Sequence, residues 1–218
     1  MTETPESALI ERGRRGDRQA LGGLLNRYQG PVFNAALRIV GNPDDASDVT
    51  QSVFLKAFEN LDRYDPAYRF FSWIYRIAVN ESINHNKRRY RMHPLDERDI
   101  PDHHGPLVST ETESLNRQIE EGLMELDEIY RVVVVLRHYS EFSYREIGEI
   151  LDIPEKTVKS RLFTARRQMR DILLARGVIG ELARGLQFGG EVGNAVAEGL
   201  ETADGPAEGL PFGHVPLA

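Results

Sequence analysis

Residues 143–162 read SYREIGEILDIPEKTVKSRL. Ser143 followed three residues later by Glu146 is a capping box, the pattern that opens a helix. Ile147 and Leu151 give that helix an inner face. Asp152 falls where the chain must turn through a left-handed residue, which Asp tolerates better than most. Ile153 plugs the turn. Pro154 or Glu155 then opens a second helix, whose Val158 and Leu162 close a small core. A short helix, a turn and a second helix with this apolar spacing make the helix-turn-helix that docks in the major groove of DNA. The outer face of the second helix holds Lys156, Thr157, Lys159, Ser160, Arg161 and Thr164. Lys159 and Arg161 can reach guanine edges or phosphates, while Arg166, Arg167 and Arg170 lie further along and suit phosphate.

Working outward, nearly every periodic segment reads as helix. Leu115, Ile119, Leu123 and Leu126 form one stripe. Val132–Leu136 is β-branched enough for a strand. Ile129, Val132, Val133, Leu136 and Tyr139 nevertheless keep helical spacing, which predicts helix there. Before residue 114 the pattern stops: residues 92–113 hold Pro94, Pro101, Gly105, Pro106 and six acidic groups, the composition of a flexible linker. Upstream, Asp17 is a candidate cap. The stripe Leu21, Leu24, Leu25, Tyr28, Val32, Phe33, Leu37, Val40 follows it, with a break or kink expected at Gly30-Pro31. Gly41-Asn42-Pro43 stops one helix and starts another, which carries Ala46, Val49, Val53, Ala57 and Leu61. After a loop, a third helix spans residues 70–89 with Phe70, Ile74, Ile77 and Ala78 inward. Beyond residue 176, ten of the 19 glycines weaken any helix. Val178, Leu182, Leu186, Val192, Val196 and Leu200 still hint at amphipathic turns that could dock on the domains or on a partner. The expected architecture is all-α: a helical bundle (5–91), an acidic linker (92–113), a helix-turn-helix domain (114–176) and a Gly-rich extension (177–218).

The 218 residues include no Cys, which removes disulfides, thiolate zinc sites and Cys nucleophiles. No apolar run is long enough to span a membrane. The N-terminal MTETPESALIERGRR lacks the apolar core of a secretory signal, so a cytoplasmic protein is expected. The net charge of −7 argues at first against a nucleic-acid binder, but it is segregated: residues 154–176 carry +5 and residues 94–113 carry −5. Fields act over a Debye length of about 8–10 Å, so the basic stretch can hold a polyanion by itself.

The helix at 70–89 carries a second stripe, Trp73, Arg76, Asn80, Asn84 and Lys87. Aromatics stack on unpaired bases, amides read base edges, and Lys and Arg hold phosphate. Together with this stripe, the order of segments resembles that of the bacterial extracytoplasmic-function sigma factors, over about residues 5–175. GNPDDASDVTQSVFLKAF (41–58) resembles the segment that grips the polymerase clamp. FSWIYRIAVN (71–80), continued by Lys87, Arg88 and Arg89, resembles the melting and minus-ten-reading helix. Residues 144–167 resemble the minus-thirty-five-reading motif.

The resemblance implies two helical domains bound to core RNA polymerase (clamp and flap) and to promoter DNA, with an anti-sigma factor as a further partner. By motif it places Asp45, Asp48, Gln51 and Phe54 at the clamp. The loop from Tyr64 through Tyr68 to Phe71 would pocket a flipped minus-ten base, with Asn80 at its edge. Trp73, Tyr75, Arg76 and Asn84 would lie at the opened strand, and Lys87, Arg88 and Arg89 on the upstream backbone. Lys156, Thr157, Lys159, Ser160, Arg161, Phe163, Thr164 and Arg167 would meet the minus-thirty-five element. The acidic linker would thread the RNA exit channel. Gly148 stands where the family usually has Ala, and Asp152 where it has Gly, which predicts a slightly less stable motif.

A stand-alone dimeric regulator would leave residues 43–60 and 70–89 unexplained. For an enzyme, the His103-His104 pair lacks partnered carboxylates on a helix, and no phosphate-cradling Gly loop or nucleophile elbow is present. No catalysis, cofactor or metal is expected.

Overall fold

The computed structural model describes residues 5–92 and 111–178. The linker from residue 93 to 110, with His103 and His104, and the extension beyond Val178 lie outside the described residues. The chain divides into two compact units, built mainly on those two stretches. Among the described residues all regular structure is helical.

The first unit comprises α1 (Glu6–Arg14), α2 (Arg18–Val40), α3 (Pro43–Glu59), a 3-10 turn (Leu61–Arg63) and α4 (Phe70–Met92). The expected caps are in place. The Asp17 carboxylate accepts from the amides of Gln19 at 2.9 Å and Ala20 at 3.2 Å. The Arg12 guanidinium beside it, with those amides, holds Asp17 below the usual carboxylate range. Gly41 takes the left-handed conformation at φ 81°. Asn42 Oδ1 accepts from the amides of Asp44 at 2.8 Å and Asp45 at 3.0 Å, with Pro43 at the first helical position.

Pro31 does not break α2. Proline removes the bond its own N–H would make and crowds the carbonyl four residues back, but it sits on the exposed side. Leu24, Tyr28, Val32, Ala36 and Ile39, all buried, hold the two halves to one core. The Pro31 carbonyl is itself engaged, accepting from the Tyr75 hydroxyl at 3.1 Å. Leu21, Leu25, Phe33 and Leu37, expected inward, are only half-buried; Ala20, Ala35, Ala36 and Ile39 line the contact instead.

Helix α1 has no strong apolar stripe, and sequence periodicity did not place it. Tertiary packing holds it: Ile10 is buried, and a Cβ on buried Gly13 would meet side-chain carbons of Leu21 at 2.9 Å and Leu61 at 3.0 Å. In α3, Ala46, Val49, Val53 and Ala57 are buried as expected, as is Leu61 just beyond it. In α4, Phe70, Ile74 and Ala78 face inward with Tyr75 and Val79; Ile77 sits at the edge, half-buried.

The second unit comprises α5 (Glu111–Glu125), α6 (Glu128–Val134), a π-helical stretch (Val135–Tyr139), α7 (Tyr144–Leu151) and α8 (Glu155–Ala175). The β-branched run is helical as expected, because Val132, Val133 and Leu136 all bury. Its end widens: the Ser140 amide donates to the Val135 carbonyl at 3.1 Å, five residues back. Ile129, expected inward, is 50% exposed in the first turn of α6. Buried Arg131 donates to the carbonyls of Met124 and Leu126, each at 2.9 Å, and so caps the end of α5. Arg176 clasps Glu121 at 2.7 Å and Glu125 at 2.5 Å. Val178 packs against Ile119 and Leu173, with Leu115 and Met169 beside them. The extension therefore begins inside the core of the second unit.

Candidate nucleic-acid and polymerase interface

The helix-turn-helix forms as read, except that Ile150 joins Ile147 on the inner face of α7 and Leu151 is half-buried. The Ser143 amide donates to Glu146 Oε2 at 2.9 Å, and the Glu146 amide to Ser143 Oγ at 3.3 Å. Ile147, Val158 and Leu162 are buried beneath it. Asp152 has φ 54°, and Pro154 occupies the N-cap position of α8 without a side-chain capping bond. The expected weakness at Gly148 is reversed. A Cβ there would meet the Ile153 carbonyl oxygen at 2.8 Å, and the Ile153 amide donates to the Gly148 carbonyl at 3.0 Å. The turn closes directly over Gly148, so the glycine fits the turn. Gly148→Ala is expected to destabilise the second unit by about 1–3 kcal/mol, as overpacking against backbone does, read by urea melts against the parent.

On α8, Lys156, Ser160, Phe163, Arg167 and Arg170 recur at three and four and are exposed, Phe163 by 63%. Thr157 and Thr164 flank this stripe, half-buried. Lys159 is exposed and pairs with Glu155 at 3.0 Å; its ammonium lies 5.9 Å from the Tyr144 ring centroid. Arg161 is half-buried at the edge. Behind α8, burial and the charges of Arg166 and Arg137 push His138 down to about 4, so it is neutral at pH 7.

In the first unit, Arg76, Asn80, Asn84, Lys87 and Arg88 are exposed on α4. Above them sits the loop from Tyr64 to Phe71. Its Asp65 side chain accepts from the Ala67 amide at 2.9 Å, and the Tyr68 amide donates to the Asp65 carbonyl at 3.1 Å. Tyr68 is 57% exposed. Tyr64 and Tyr75 are buried. Tyr64 donates its hydroxyl to the Tyr68 carbonyl at 2.7 Å, and its ring packs 5.3 Å from Phe70 and 5.4 Å from Trp73. The Tyr75 ring lies 4.5 Å from Phe71. These two tyrosines brace the residues that meet solvent. Trp73 and Phe71 are half-buried.

On α3, Asp48 and Gln51 are exposed, but Phe54 turns inward, its ring 5.7 Å from that of Phe58 and tilted to it. The apolar residue on the outward face is Leu55, 63% exposed. A helical wheel could have found it, since Leu55 lies opposite the Ala46–Val53 stripe. Asp45 is committed within the protein, with His85 Nε2 at 3.1 Å and Arg89 at 3.5 Å. A groove of about 570 Å³ between α3 and α4 is lined by Asp45, Asp48, His85, Arg88 and Arg89. Sequence reading also missed Arg14, whose side chain reaches the segment before the loop; no local pattern marks it. Among the described residues, no helix is long and apolar enough to cross a membrane.

The chain is similar to known proteins in both units. Residues 24–92 match the model for Sigma-70 region 2, and residues 116–169 that for Sigma-70, region 4. The chain is 30% identical to the ECF RNA polymerase sigma factor SigW of Bacillus subtilis, over 75% of this chain and 96% of that protein. It is 32% identical to the ECF RNA polymerase sigma-E factor of Haemophilus influenzae, over 76% and 94% respectively. Among solved structures, CnrH in complex with the cytosolic domain of CnrY is similar, with a TM-score of 0.60 and 25% identity over 78% of this chain and 97% of that one. The sigma factor RpoE of Bartonella quintana, in complex with the anti-sigma factor NepR, has the same fold, with a TM-score of 0.59 and 22% identity over 68% of this chain and 93% of that one. The chain belongs to the extracytoplasmic-function sigma factors, non-enzymatic proteins that bind core RNA polymerase and direct promoter-specific transcription initiation.

Proposed function

We propose that three surfaces divide this work. The face of α3 formed by Asp48, Gln51 and Leu55 docks on the polymerase clamp. The loop Tyr64–Phe71 and the α4 stripe of Trp73, Arg76, Asn80, Asn84, Lys87 and Arg88 capture unpaired minus-ten bases and hold the adjoining backbone. The α8 stripe of Lys156, Lys159, Ser160, Phe163 and Arg167, with Thr157, Arg161 and Thr164 at its flanks, reads the minus-thirty-five duplex. Residues 5–91 and 114–176 act as the two domains, joined by the acidic linker in the RNA exit channel, and the second domain docks on the polymerase flap. The protein acts in the cytoplasm, and an anti-sigma factor holds it in reserve. The observation that carries this reading is the exposed amide and basic stripe on one face of α4, headed by half-buried Trp73, next to an exposed loop braced from beneath. Binding energy gained only with unpaired bases shifts the promoter from closed to open.

Run-off transcription with core polymerase and genomic DNA, followed by mapping of start sites, tests this reading; no factor-dependent start would sink it. On a mapped promoter, Lys159→Ala or Arg161→Ala should cost about 1–3 kcal/mol in duplex affinity. Arg167→Ala should weaken all sequences alike and lower the salt slope by about one. Unchanged affinity in the first two variants would refute the assigned reading face.

A further inference from the structure

We infer that Arg14, on a helix that precedes both matched segments, is a positioning residue that sets the shape of the base-capture loop. The inference rests on the reading of Tyr64–Phe71 given above. Arg14 is the last residue of α1. Its Nε donates to the Leu61 carbonyl at 3.2 Å, and a terminal guanidinium nitrogen donates to the Tyr64 carbonyl. The guanidinium carbon lies 5.8 Å from the centroid of the Tyr64 ring. The other terminal nitrogen forms an ion pair with exposed Glu11, one turn back, at 3.6 Å.

The partners lie 47 and 50 residues away in sequence, so this is a tertiary strut and not a helix cap. Tyr64 relays it. Its carbonyl takes the arginine, its ring packs on Phe70 and Trp73, and its hydroxyl donates to the Tyr68 carbonyl at 2.7 Å. Arg14 thus fixes where the loop starts, and the Tyr64 hydroxyl fixes where its exposed tip stands. A guanidinium suits the task because its donors diverge in a fixed plane and can serve two carbonyls three residues apart; a lysine ammonium is a single flexible point. Without Arg14 the Tyr64 carbonyl loses a charged donor and the loop loses its anchor to α1. A capture site displaced by an ångström loses much of its affinity.

The test uses holoenzyme assembled from core polymerase and the full chain, on a promoter mapped by run-off transcription. Permanganate reactivity of unpaired thymines reports opening, and gel-shift reports closed binding. Arg14→Ala should lower the ratio of open to closed complexes about tenfold, the effect of one lost charge-assisted bond. Core affinity and closed binding should stay at the parent level, and Arg14→Lys should recover part of the opening. A purely structural defect would lower closed binding and core affinity together with opening, and that outcome overturns the inference. So does an Arg14→Ala holoenzyme that opens the promoter as the parent does. Tyr68→Ala separates the two levels. If it impairs opening while Arg14→Ala does not, the strut alone falls; if neither impairs opening, the loop reading falls and the strut with it.

Discussion

Phe70→Ala should lower the stability of the first unit by about 3–5 kcal/mol, the usual cost of emptying a buried aromatic site. Phe70 is fully buried. Its ring lies 5.3 Å from Tyr28, 5.3 Å edge-on from Tyr64 and 5.4 Å from Trp73, so the cavity opens among three rings that cannot collapse without moving the loop. Phe70 is also the first residue of α4, where the loop becomes helix. The variant should therefore lose promoter opening even under conditions where it stays folded. Trp73 is the chain's only tryptophan, which makes its fluorescence a direct reporter in urea melts. A loss below about 1 kcal/mol would show that the aromatic cluster does not support the loop; even a single CH₂ group brought from water into a core is worth roughly 0.8 kcal/mol.

The second large effect is acid sensitivity of the helix-turn-helix unit through His138. Burial, then the positive charges of Arg166 and Arg137, push this imidazole from 6.5 down to about 4. Between those values the unfolded chain binds a proton that the folded one refuses, so stability falls as pH falls. The loss begins near 6.5 and is complete below about 4. One pKa step is worth about 1.4 kcal/mol, so the second unit should lose about 2 kcal/mol between pH 7 and pH 5. His138 is the only histidine between residues 111 and 178, which isolates its contribution. Urea melts followed by amide resonances of α6 and α8 should show that slope in the parent and lose most of it in His138→Gln. Parallel pH profiles would disprove it. The imidazole titration, followed by NMR, should fall near 4 and not near 6.5.

Features that act within one turn of chain were legible from sequence. Gly41-Asn42-Pro43, the Ser143–Glu146 box and the left-handed Asp152 are each decided by two to four neighbouring residues, and each is present. The amide and basic part of the α4 stripe was equally legible, because exposure on a helix follows from a period that the residue types display; Trp73 at its head is half-buried.

What failed needed knowledge of a neighbour. Phe54 and Leu55 are adjacent and both apolar; helical period alone sets Leu55 outward, but Phe54 lies at the edge of the stripe, and its packing beside Phe58 decides that it turns in. Tyr64 and Tyr75 are aromatic at sites where a base could stack, yet the core claims both rings. Asp45 looks free on α3 until α4 brings His85 and Arg89 against it. Pro31 reads as a breaker, but burial on the opposite face outweighs one missing hydrogen bond.

The sequence by itself determined an all-α chain with a helix-turn-helix, a nucleic-acid-facing helix and basic reading surfaces on a net acidic protein. These follow from periodicity, capping chemistry and charge order, which are local quantities. Only the tertiary structure decided which residues of those helices reach solvent, that Gly148 fits the closed turn, and that Arg14 reaches across 47 residues to the loop. Burial and hydrogen-bond satisfaction depend on what stands opposite each side chain, and the partner is chosen by the folded chain as a whole.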